Sequence, residues 1–462
     1  MHRHSRRWVG WIALGVMLGA GSLVLHCGRG KGPPLNVLII TVDTLRADRL
    51  GCYGYDRPLT PNIDRLAESA VRFEKTCCQA PLTLPSHCSI FTSRYTISHG
   101  SLGHAYPLDE DIPTLAQILN AQGMATAAFV SNHVLDRKFG LAKGFDTYWQ
   151  VHELPMDRRT ALKRSSRDPT TEAVLDWLRG HGKEPFFLWV HWFHPHKPYD
   201  PPAQFSRRFA GGSTIGEKWK APDLLKVWRG TLDIPPQDVL QLRELYDAEV
   251  AFSDSQVGLL IDEMRRLGMY DNTLIVFTSD HGEVLYEHDR YFGHDIMLYE
   301  PSMRVPLIMR DPEWEPGVVP GLVQSIDIMP TVLRALGIKT DVPLEGKDLA
   351  PLVHGDELCS VQIAACLSYP PKAKSLPVIG LRTETWKLIL HETEDGPFVR
   401  ELYNLDEDPA EERNRTDDEP DLAEAMEKYY LRWTETIGGG EAAEPQLDPQ
   451  TLENLRSLGY IQ

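Results

Sequence analysis

The stretch LNVLIITVDT at residues 35–44 contains the run that decides the fold class. Its first eight residues are mostly apolar and β-branched and do not alternate with polar ones, which is typical of a strand buried on both faces. Similar runs follow at four places along the chain: residues 125–131, 186–192, 273–279 and 305–309.

Helical patterns lie between these runs. Thr60 is placed to cap a helix whose first turn holds Pro61, Gly123 follows the end of a second helix, and a long helix is predicted from about residue 236 to 268. Strands that alternate with helices predict an α/β fold, namely a large, mostly parallel sheet with helices on both faces.

The composition changes after about residue 355. Residues 378–405 resemble short antiparallel strands with a turn at EDGP, and an acidic helix and a short closing helix are predicted after them. We therefore predict a catalytic domain at 33–355 and a C-terminal subdomain with a small antiparallel sheet at 356–462.

The first 32 residues resemble an export signal. They hold five basic residues and no acidic one, and an uncharged run extends from Trp8 to Leu25. This run lies between the length of a signal-peptide core and that of a spanning helix, and Cys27 follows it as in a lipoprotein processing site. A cleaved signal, a lipid attached at Cys27 and a membrane anchor all remain open. Each predicts export to the bacterial cell envelope, in the periplasm or on the outer surface, and the lipid and the anchor also predict that the N-terminus is associated with the membrane.

The formal net charge is −17 at pH 7. This acidic balance argues against nucleic acid as a partner and against an anionic membrane surface as the main ligand. An anionic substrate therefore has to be bound by a local cation or a cluster of cationic side chains. The sequence leaves the oligomeric state open.

Polar residues follow three of the predicted strands. Asp43 and Thr44 follow the first strand, HPHKPYDPP follows the strand at 186–192, and DHGE follows the strand at 273–279. Because active residues of parallel sheets gather beyond the carboxyl ends of the strands, we expect these segments to meet.

The residue types at these strand ends predict one bound divalent cation. Asp43, Asp280 and His281 are the principal predicted ligands, and their oxygens and imidazole suit Ca²⁺, Mg²⁺ or Mn²⁺, with Zn²⁺ also possible. His194, His196 and His294 are predicted to contact the ester oxygens or to protonate the leaving group.

Thr83 lies at the predicted start of a helix, in the segment TLPSHCSIFTSR. The free N–H groups and the dipole at a helix N-terminus favour an anion or a developing alkoxide. A cation in contact with the Thr83 hydroxyl would lower its pKa, so Thr83 is both a predicted metal contact and a predicted nucleophile.

Seven segments, in this order, resemble the sulfatases of the alkaline-phosphatase superfamily: LIITVDTLRADRLGCYGY, TPNIDRLA, TLPSHCSIFTSR, HWFHPHKPYDPP, TSDHGE, GHDIMLYEPSMRVPLIMR and LYNLDEDPAEERN. The resemblance implies an exported ester hydrolase with Asp43, Asp280 and His281 as metal ligands and Thr83 at the nucleophile position. It also implies that His196 lies beside the scissile ester, that His294 contacts the charged oxygens of the substrate, and that Arg94 belongs to the same nucleophile motif and binds substrate.

The chain departs from this family at several positions. Thr44 stands where a second carboxylate is usual, and His87, a predicted catalytic residue, stands where the nucleophile motif has arginine. The lysine-tryptophan-histidine element of the family is not recognisable, and SNHVLDRKFG occupies its neighbourhood. Above all, Thr83 replaces the cysteine or serine that is oxidised to formylglycine, so no formylglycine is expected there.

The threonine changes which ester is easier to cleave. Hydrated formylglycine attacks with one hydroxyl and expels sulfate with the second, whereas Thr83 has only one hydroxyl. Phosphorus esters are therefore the mechanistically easier target, while the rest of the chain still resembles a sulfatase. The chain is predicted to hydrolyse sulfate or phosphate esters of a small molecule, a glycan or a lipid. The alternatives are a phosphodiesterase or phosphotransferase with a phosphothreonine intermediate, and a surface binding protein that kept the fold without turnover.

Overall fold

The computed structural model describes residues 35–154, 167–181, 184–288, 291–295, 297–356, 364–368, 377–393 and 398–436. The predicted N-terminal signal or anchor and the predicted closing helix at 451–462 lie outside these ranges. The chain from Leu35 onward forms one compact unit. Among the described residues, no helix combines the length and the apolar character needed to span a membrane.

A large sheet of eight strands forms the centre of the molecule. Its strands are β1 (Asn36–Val42), β2 (Val71–Cys77), β3 (Ala125–Val130), β4 (Thr147–Gln150), β5 (Phe186–Trp192), β6 (Thr273–Thr278), β9 (Arg304–Arg310) and β10 (Gly317–Gln324). The strand order is β10-β2-β9-β6-β1-β5-β3-β4. A two-stranded ribbon lies between β6 and β9 in the chain and consists of β7 (Val284–Leu285) and β8 (Phe292–Gly293).

Most neighbouring strands of the large sheet are parallel, and β9 is the exception. It runs antiparallel to both β2 and β6, whereas β1 pairs in parallel with β5 on one side and with β6 on the other. All five predicted strands are present, and the prediction of a mostly parallel α/β sheet is confirmed. The sequence reading missed β2, β4 and β10.

Helices cover the large sheet, and the last helix among the described residues packs on a smaller sheet. They are α1 (Pro61–Ala67), α2 (Thr83–Thr92), α3 (Thr96–His99), α4 (Leu115–Ala121), α5 (Pro169–Gly180), α6 (Ala203–Phe209), α7 (Ile215–Lys218), α8 (Ala221–Trp228), α9 (Pro236–Arg266), α10 (Glu300–Met303), α11 (Ile328–Ala335), α12 (Ala350–Val353) and α13 (Pro420–Thr436). Pro61 begins α1 as predicted, but Thr60 makes no side-chain capping hydrogen bond, because its hydroxyl accepts from the Gly51 N–H and donates to Asp64 instead.

Strand β1 shows why the sheet carries helices on both faces. Its seven residues are all buried, and they alternate between two apolar cores because successive side chains of a strand point to opposite faces. Leu38 and Ile40 belong to the core that includes α5 and α9, whereas Val37 and Ile39 belong to the core that includes α2 and α11.

A smaller antiparallel sheet follows the large one in the chain. Its strands, in spatial order, are β11 (Ala364–Ser368), β12 (Val378–Arg382), β13 (Trp386–His391) and β14 (Val399–Asn404). The acidic helix predicted after them is α13, whose Ala423 and Met426 are buried with apolar residues of β12 and β13. The last strand of the large sheet, β10, precedes residue 355 and the first strand of the small sheet, β11, follows it, while both sheets lie within one compact unit.

Candidate active site

The site lies at the carboxyl ends of the three central strands. Asp43 follows β1 directly, Asp280 lies two residues beyond β6, and His194 and His196 follow β5. Since β1 lies between β6 and β5 in the sheet, these residues meet at one edge, as the sequence predicted.

Asp43, Asp280 and His281 form a buried cluster. One possible ligand atom of each lies within 4.8 Å of the others, and none of the three side chains is accessible to solvent. Asp280 is oriented by backbone donors, because its Oδ1 accepts from the N–H of Thr44 at 3.1 Å and from its own neighbour His281 at 2.8 Å.

The chemistry of this cluster fits a divalent cation. Among the described residues, Asp43 Oδ1, Asp280 Oδ2 and Thr44 Oγ1 are buried atoms without a hydrogen-bond partner. Buried carboxylate oxygens are costly unless a positive charge compensates them. His281 donates through Nδ1 to the Gly282 carbonyl at 2.9 Å, so Nε2 is the ring nitrogen left to bind a cation, and it lies 3.4 Å from Asp280 Oδ2.

The two carboxylates influence each other's protonation. Burial and the neighbouring Asp280 raise the pKa of Asp43 well above its ordinary value. Burial alone would also raise the pKa of Asp280, but His281, His87 and His191 outweigh that effect and lower it. The mutual repulsion of two buried carboxylates is the situation that a bound dication relieves.

Thr83 is the first residue of α2, preceded by the extended residue Leu82. Its hydroxyl oxygen lies 3.4 Å from Nε2 of His281, and the side chain is completely buried. The first turn of α2 contains no acidic residue, so the helix N-terminus offers its N–H groups to a negative charge beside Thr83. The structure thus brings Thr83 to the predicted metal ligands.

His87 lies on the same helix, one turn after Thr83, and is fully buried behind it. Its Nδ1 donates to the Thr83 carbonyl at 2.7 Å, and its Nε2 lies 3.1 Å from the Thr41 hydroxyl. Burial lowers its pKa to about 3. His87 is therefore a neutral ring, and its hydrogen bond to the Thr83 carbonyl helps to position Thr83.

His191 is a site residue that the sequence reading missed. It lies within β5, fully buried, and its Nε2 is 3.5 Å from Asp43 Oδ2. Burial lowers its pKa to about 4. In the sequence it forms part of the apolar run FFLWVHW, where it reads as an ordinary position of a buried strand.

His196 and His294 face each other across the site. Their Nε2 atoms are 3.2 Å apart, while each Nδ1 is bound to a backbone carbonyl, that of Lys197 for His196 and that of Pro81 for His294. Since a carbonyl only accepts, both Nδ1 atoms carry a hydrogen. The contact between the two Nε2 atoms is therefore a hydrogen bond only when one of the two rings has taken up a further proton. Burial lowers the pKa of both histidines.

His294 also connects this pair with the metal cluster. The ring centroids of His281 and His294 are 4.3 Å apart. The predicted ester-binding histidines and the predicted nucleophile therefore share one site.

His194 has a different environment from the one predicted. Its Nδ1 contacts the buried carboxylate of Glu249 on α9, and the other oxygen of that carboxylate accepts from the Asp200 N–H at 2.7 Å. Glu249 thus holds both ends of the loop that presents His196. We conclude that His194 orients this loop through Glu249.

Arg94 is not brought to the site. It follows the C-terminal end of α2, a helix about 15 Å long that begins at Thr83. Arg94 is close enough to influence His99 electrostatically, at the end of α2 opposite Thr83. The prediction of Arg94 as a substrate-binding residue therefore lacks support in the geometry, because the helix carries it away from the strand ends.

Asn132 is another contact that the sequence reading missed. Its amide donates to Asp43 Oδ2 at 2.7 Å. It lies two residues beyond the end of β3. The strand-end rule would have drawn attention to it, because β3 is the neighbour of β5.

Glu283 and Lys197 complete the polar groups near the cluster. Glu283 is fully buried two residues after His281, and burial raises its pKa to about 8. Lys197 follows His196, and its Nζ lies 3.4 Å from the Phe292 carbonyl. The charge of Lys197 contributes to lowering the pKa of both His196 and His294.

The fold and the site define a hydrolase of the alkaline-phosphatase superfamily. The sulfatase family model matches residues 35–338, and the model of the C-terminal region of N-sulphoglucosamine sulphohydrolase matches residues 287–435. The chain therefore belongs to the sulfatase family, whose members hydrolyse ester bonds.

Several known proteins resemble the chain over most of its length. The ulvan-active sulfatase of Formosa agariphila is 26% identical over 406 residues, which cover 82% of this chain and 76% of the relative. The choline-sulfatase of Rhizobium meliloti is 25% identical over 431 residues, which cover 82% of each. The crystal structure of the phosphonate monoester hydrolase of Agrobacterium radiobacter superposes with a TM-score of 0.73 at 21% identity, covering 87% of this chain and 96% of that one.

Proposed function

We propose that the chain is an exported, metal-dependent hydrolase of sulfate or phosphate esters that uses unmodified Thr83 as its nucleophile. The observation that carries this proposal is the position of the Thr83 hydroxyl. It lies at the start of α2, 3.4 Å from His281 Nε2, beside the unpartnered oxygens of Asp43 and Asp280.

Asp43, Asp280 and His281 are the residues that would hold the divalent cation, with the Thr44 and Thr83 hydroxyls as additional oxygens. When bound, such an ion neutralises charge on the ester and lowers the pKa of a hydroxyl in contact with it. The buried carboxylates favour binding of the ion, because one oxygen of each, Asp43 Oδ1 and Asp280 Oδ2, has no hydrogen-bond partner among the described residues.

Thr83 attacks the phosphorus or sulfur atom of the ester. A bond forms between its Oγ1 and that atom, the bond to the leaving alcohol oxygen breaks, and the hydroxyl proton passes to the histidine pair His196 and His294. The N–H groups at the start of α2 stabilise the negative charge on the non-bridging oxygens. Water then attacks the same central atom and releases Thr83 with its hydroxyl restored.

The leaving alcohol takes its proton from the pair of His196 and His294. Both Nδ1 atoms donate to backbone carbonyls, and burial keeps the rings neutral, so the proton that the pair delivers is one that an Nε2 lone pair has taken up from the Thr83 hydroxyl. The His294 ring lies beside His281, whose Nε2 is 3.4 Å from the Thr83 hydroxyl oxygen. This assignment agrees with general acid catalysis by a positioned imidazole.

We expect phosphorus esters to be the better substrates. Thr83 has a single hydroxyl, so its covalent ester is released by attack of water on the central atom, a step known for phosphothreonine-type intermediates. The fold likeness to a phosphonate monoester hydrolase is consistent with this choice. Sulfate esters of small molecules or glycans are the second substrate class, in line with the names of the sulfatase relatives.

The test is hydrolysis of an aryl sulfate, an aryl phosphate and a bis-aryl phosphate by the purified protein with added Ca²⁺, Mn²⁺ or Zn²⁺. Thr83→Ala should lower kcat at least about 100-fold, because a positioned nucleophile and acid supply several powers of ten in rate. Thr83→Ser retains the hydroxyl and should keep part of the activity.

Thr92→Ala is the matched control. Thr92 is a buried threonine of the same helix, and its hydroxyl donates to the Cys88 carbonyl at 2.7 Å, at the end of α2 remote from the site. This variant should retain wild-type kcat. If Thr83→Ala stays within about tenfold of the wild type, or about 1.4 kcal/mol in the barrier, Thr83 is not the nucleophile. If the wild type turns over none of the esters, the binding-protein alternative is favoured.

We also propose that the native protein is exported and associated with the membrane. The support is the basic start and the uncharged run from Trp8 to Leu25. Fractionation of bacteria that express the full chain should place it in the membrane or the periplasm, and cleavage or lipidation at Cys27 is read by mass spectrometry. Recovery of the whole protein from the cytoplasm would refute export.

A further inference from the structure

A second group of possible metal ligands adjoins the cluster of Asp43, Asp280 and His281. His87, His191 and Asp280 each offer one ligand atom, and these atoms lie within 4.8 Å of one another. We call these residues the inner triad and the cluster of Asp43, Asp280 and His281 the outer triad. The two triads share Asp280, and all side chains of the inner triad are completely buried.

His191 is the residue that points to a ligand. Among the described residues, neither of its ring nitrogens has a hydrogen-bond partner. A buried imidazole usually hydrogen-bonds through at least one nitrogen, because an unsatisfied polar group loses its interaction with water without compensation. The Nε2 atom of His191 nevertheless lies only 3.5 Å from Asp43 Oδ2, a separation expected for two ligand atoms bound to the same cation.

The spacing between the donor atoms is that of metal ligands. Two donors about 2.1 Å from one ion in tetrahedral geometry lie about 3.4 Å apart. His191 Nε2 and Asp43 Oδ2 are 3.5 Å apart, and His87 Nδ1 and Asp280 Oδ2 are 3.8 Å apart. Small rotations of these side chains therefore suffice to reach one ion.

His87 has to release one hydrogen bond to take part. Its Nδ1 now donates to the Thr83 carbonyl. That carbonyl lies in the first turn of α2 and also accepts the main-chain N–H four residues later, as in any α-helix, so it keeps a partner when His87 turns to the ion. An ion in the inner triad would thus break the hydrogen bond between His87 and the backbone carbonyl of Thr83.

From this geometry we infer that His87, His191 and Asp280, with Asp43 beside them, form a second, inner binding site for a transition-metal dication. Two imidazoles and a carboxylate are a donor set suited to Zn²⁺, Mn²⁺, Fe²⁺ or Co²⁺, whereas Ca²⁺ and Mg²⁺ prefer oxygen ligands. The outer triad, with its two carboxylates, accepts either kind of ion. The inner site does not depend on the ester chemistry proposed above.

The experiment measures bound metal per chain. The purified full chain is treated with a chelator and dialysed to equilibrium against Zn²⁺ or Ca²⁺, and the bound ions are counted by elemental analysis. We expect two Zn²⁺ but one Ca²⁺ per wild-type chain. His191→Phe should bind one Zn²⁺ per chain in the Zn²⁺ dialysis and one Ca²⁺ per chain in the Ca²⁺ dialysis, because phenylalanine fills a similar volume without a nitrogen donor.

Two control variants separate the inner site from other effects. His99→Gln replaces a buried histidine whose ring nitrogens contact Ser89 and the Ser101 N–H, outside both triads, and should still bind two Zn²⁺. Thr83→Ala should also bind two Zn²⁺ while losing ester hydrolysis, so that failure of the proposed nucleophile and failure of the inner site give different results.

A second measurement uses the wild type alone and does not depend on how a variant folds. Titration of the chelated wild type with Co²⁺ should produce two successive saturable changes in its visible absorption spectrum. A single step at one ion per chain overturns the proposal. Two bound Zn²⁺ in a folded His191→Phe variant also overturn it, because the second ion would then lie elsewhere.

Discussion

Lys387 on β13 holds together a charged network at the small sheet, and its removal gives a sharp test of the packing described here. The side chain is completely buried, and its Nζ lies 3.0 Å from Glu300 Oε1 and 3.0 Å from Glu411 Oε1. Burial alone would raise the pKa of Glu300, but Lys387 and Arg382 lower it to about 2. The network joins the small sheet to α10, which precedes β9 of the large sheet.

Lys387→Met retains most of the buried volume and removes the charge. Glu300 keeps Arg382 at 3.2 Å, whereas Glu411 stays buried and loses its only cationic contact among the described residues. Removal of one partner from a buried ion pair costs about 3–5 kcal/mol. For a compact unit spanning Leu35–Gln462, the entropy of unfolding is about 0.9 kcal/mol/K, so the midpoint should fall by about 3–6 °C.

Thermal unfolding followed by circular dichroism measures this shift. Lys226→Met is the control. Lys226 is exposed, and its one ion pair among the described residues is with Asp223, three residues earlier on α8, so its loss should cost less than about 0.5 kcal/mol. Adding Glu411→Gln to Lys387→Met should restore part of the lost stability, because it neutralises the carboxylate left without a cation. A Lys387→Met midpoint within 1 °C of the wild type would refute the reasoning.

Two further predictions concern other buried carboxylates. Burial raises the pKa of Asp327 to about 7, so between about pH 4 and 7 the folded protein keeps a proton that the unfolded chain releases, and the free energy of unfolding falls as the pH rises through that window. Asp327→Asn should flatten this fall in urea unfolding series, and an unchanged slope would contradict it. Glu249→Gln keeps only one acceptor oxygen for His194 and the Asp200 N–H. The loop carrying His196 should therefore lose its alignment, and kcat should fall about tenfold with little change in KM. A wild-type kcat would show that the contacts of Glu249 with this loop are dispensable.

The local pattern of the sequence was sufficient for the fold class and for most of the outer site. Buried strands in parallel sheets form long apolar runs, and ligands tend to follow their carboxyl ends. For this reason Asp43, Asp280 and His281 could be named from the residues that follow two such runs, and Thr83 from its place at the start of a helix. The position of each strand within the sheet was not needed to assign these residues.

The tertiary structure alone decided which of these residues meet and which do not. Arg94 belongs to the same motif as Thr83, but ten helical residues separate the two ends of α2. His191 reads as a core position of β5, and only the pairing of β5 with β1 brings it to Asp43. Strand order and side-chain direction arise from contacts between segments far apart in the chain, and the spacing of residues within one segment carries no information about them.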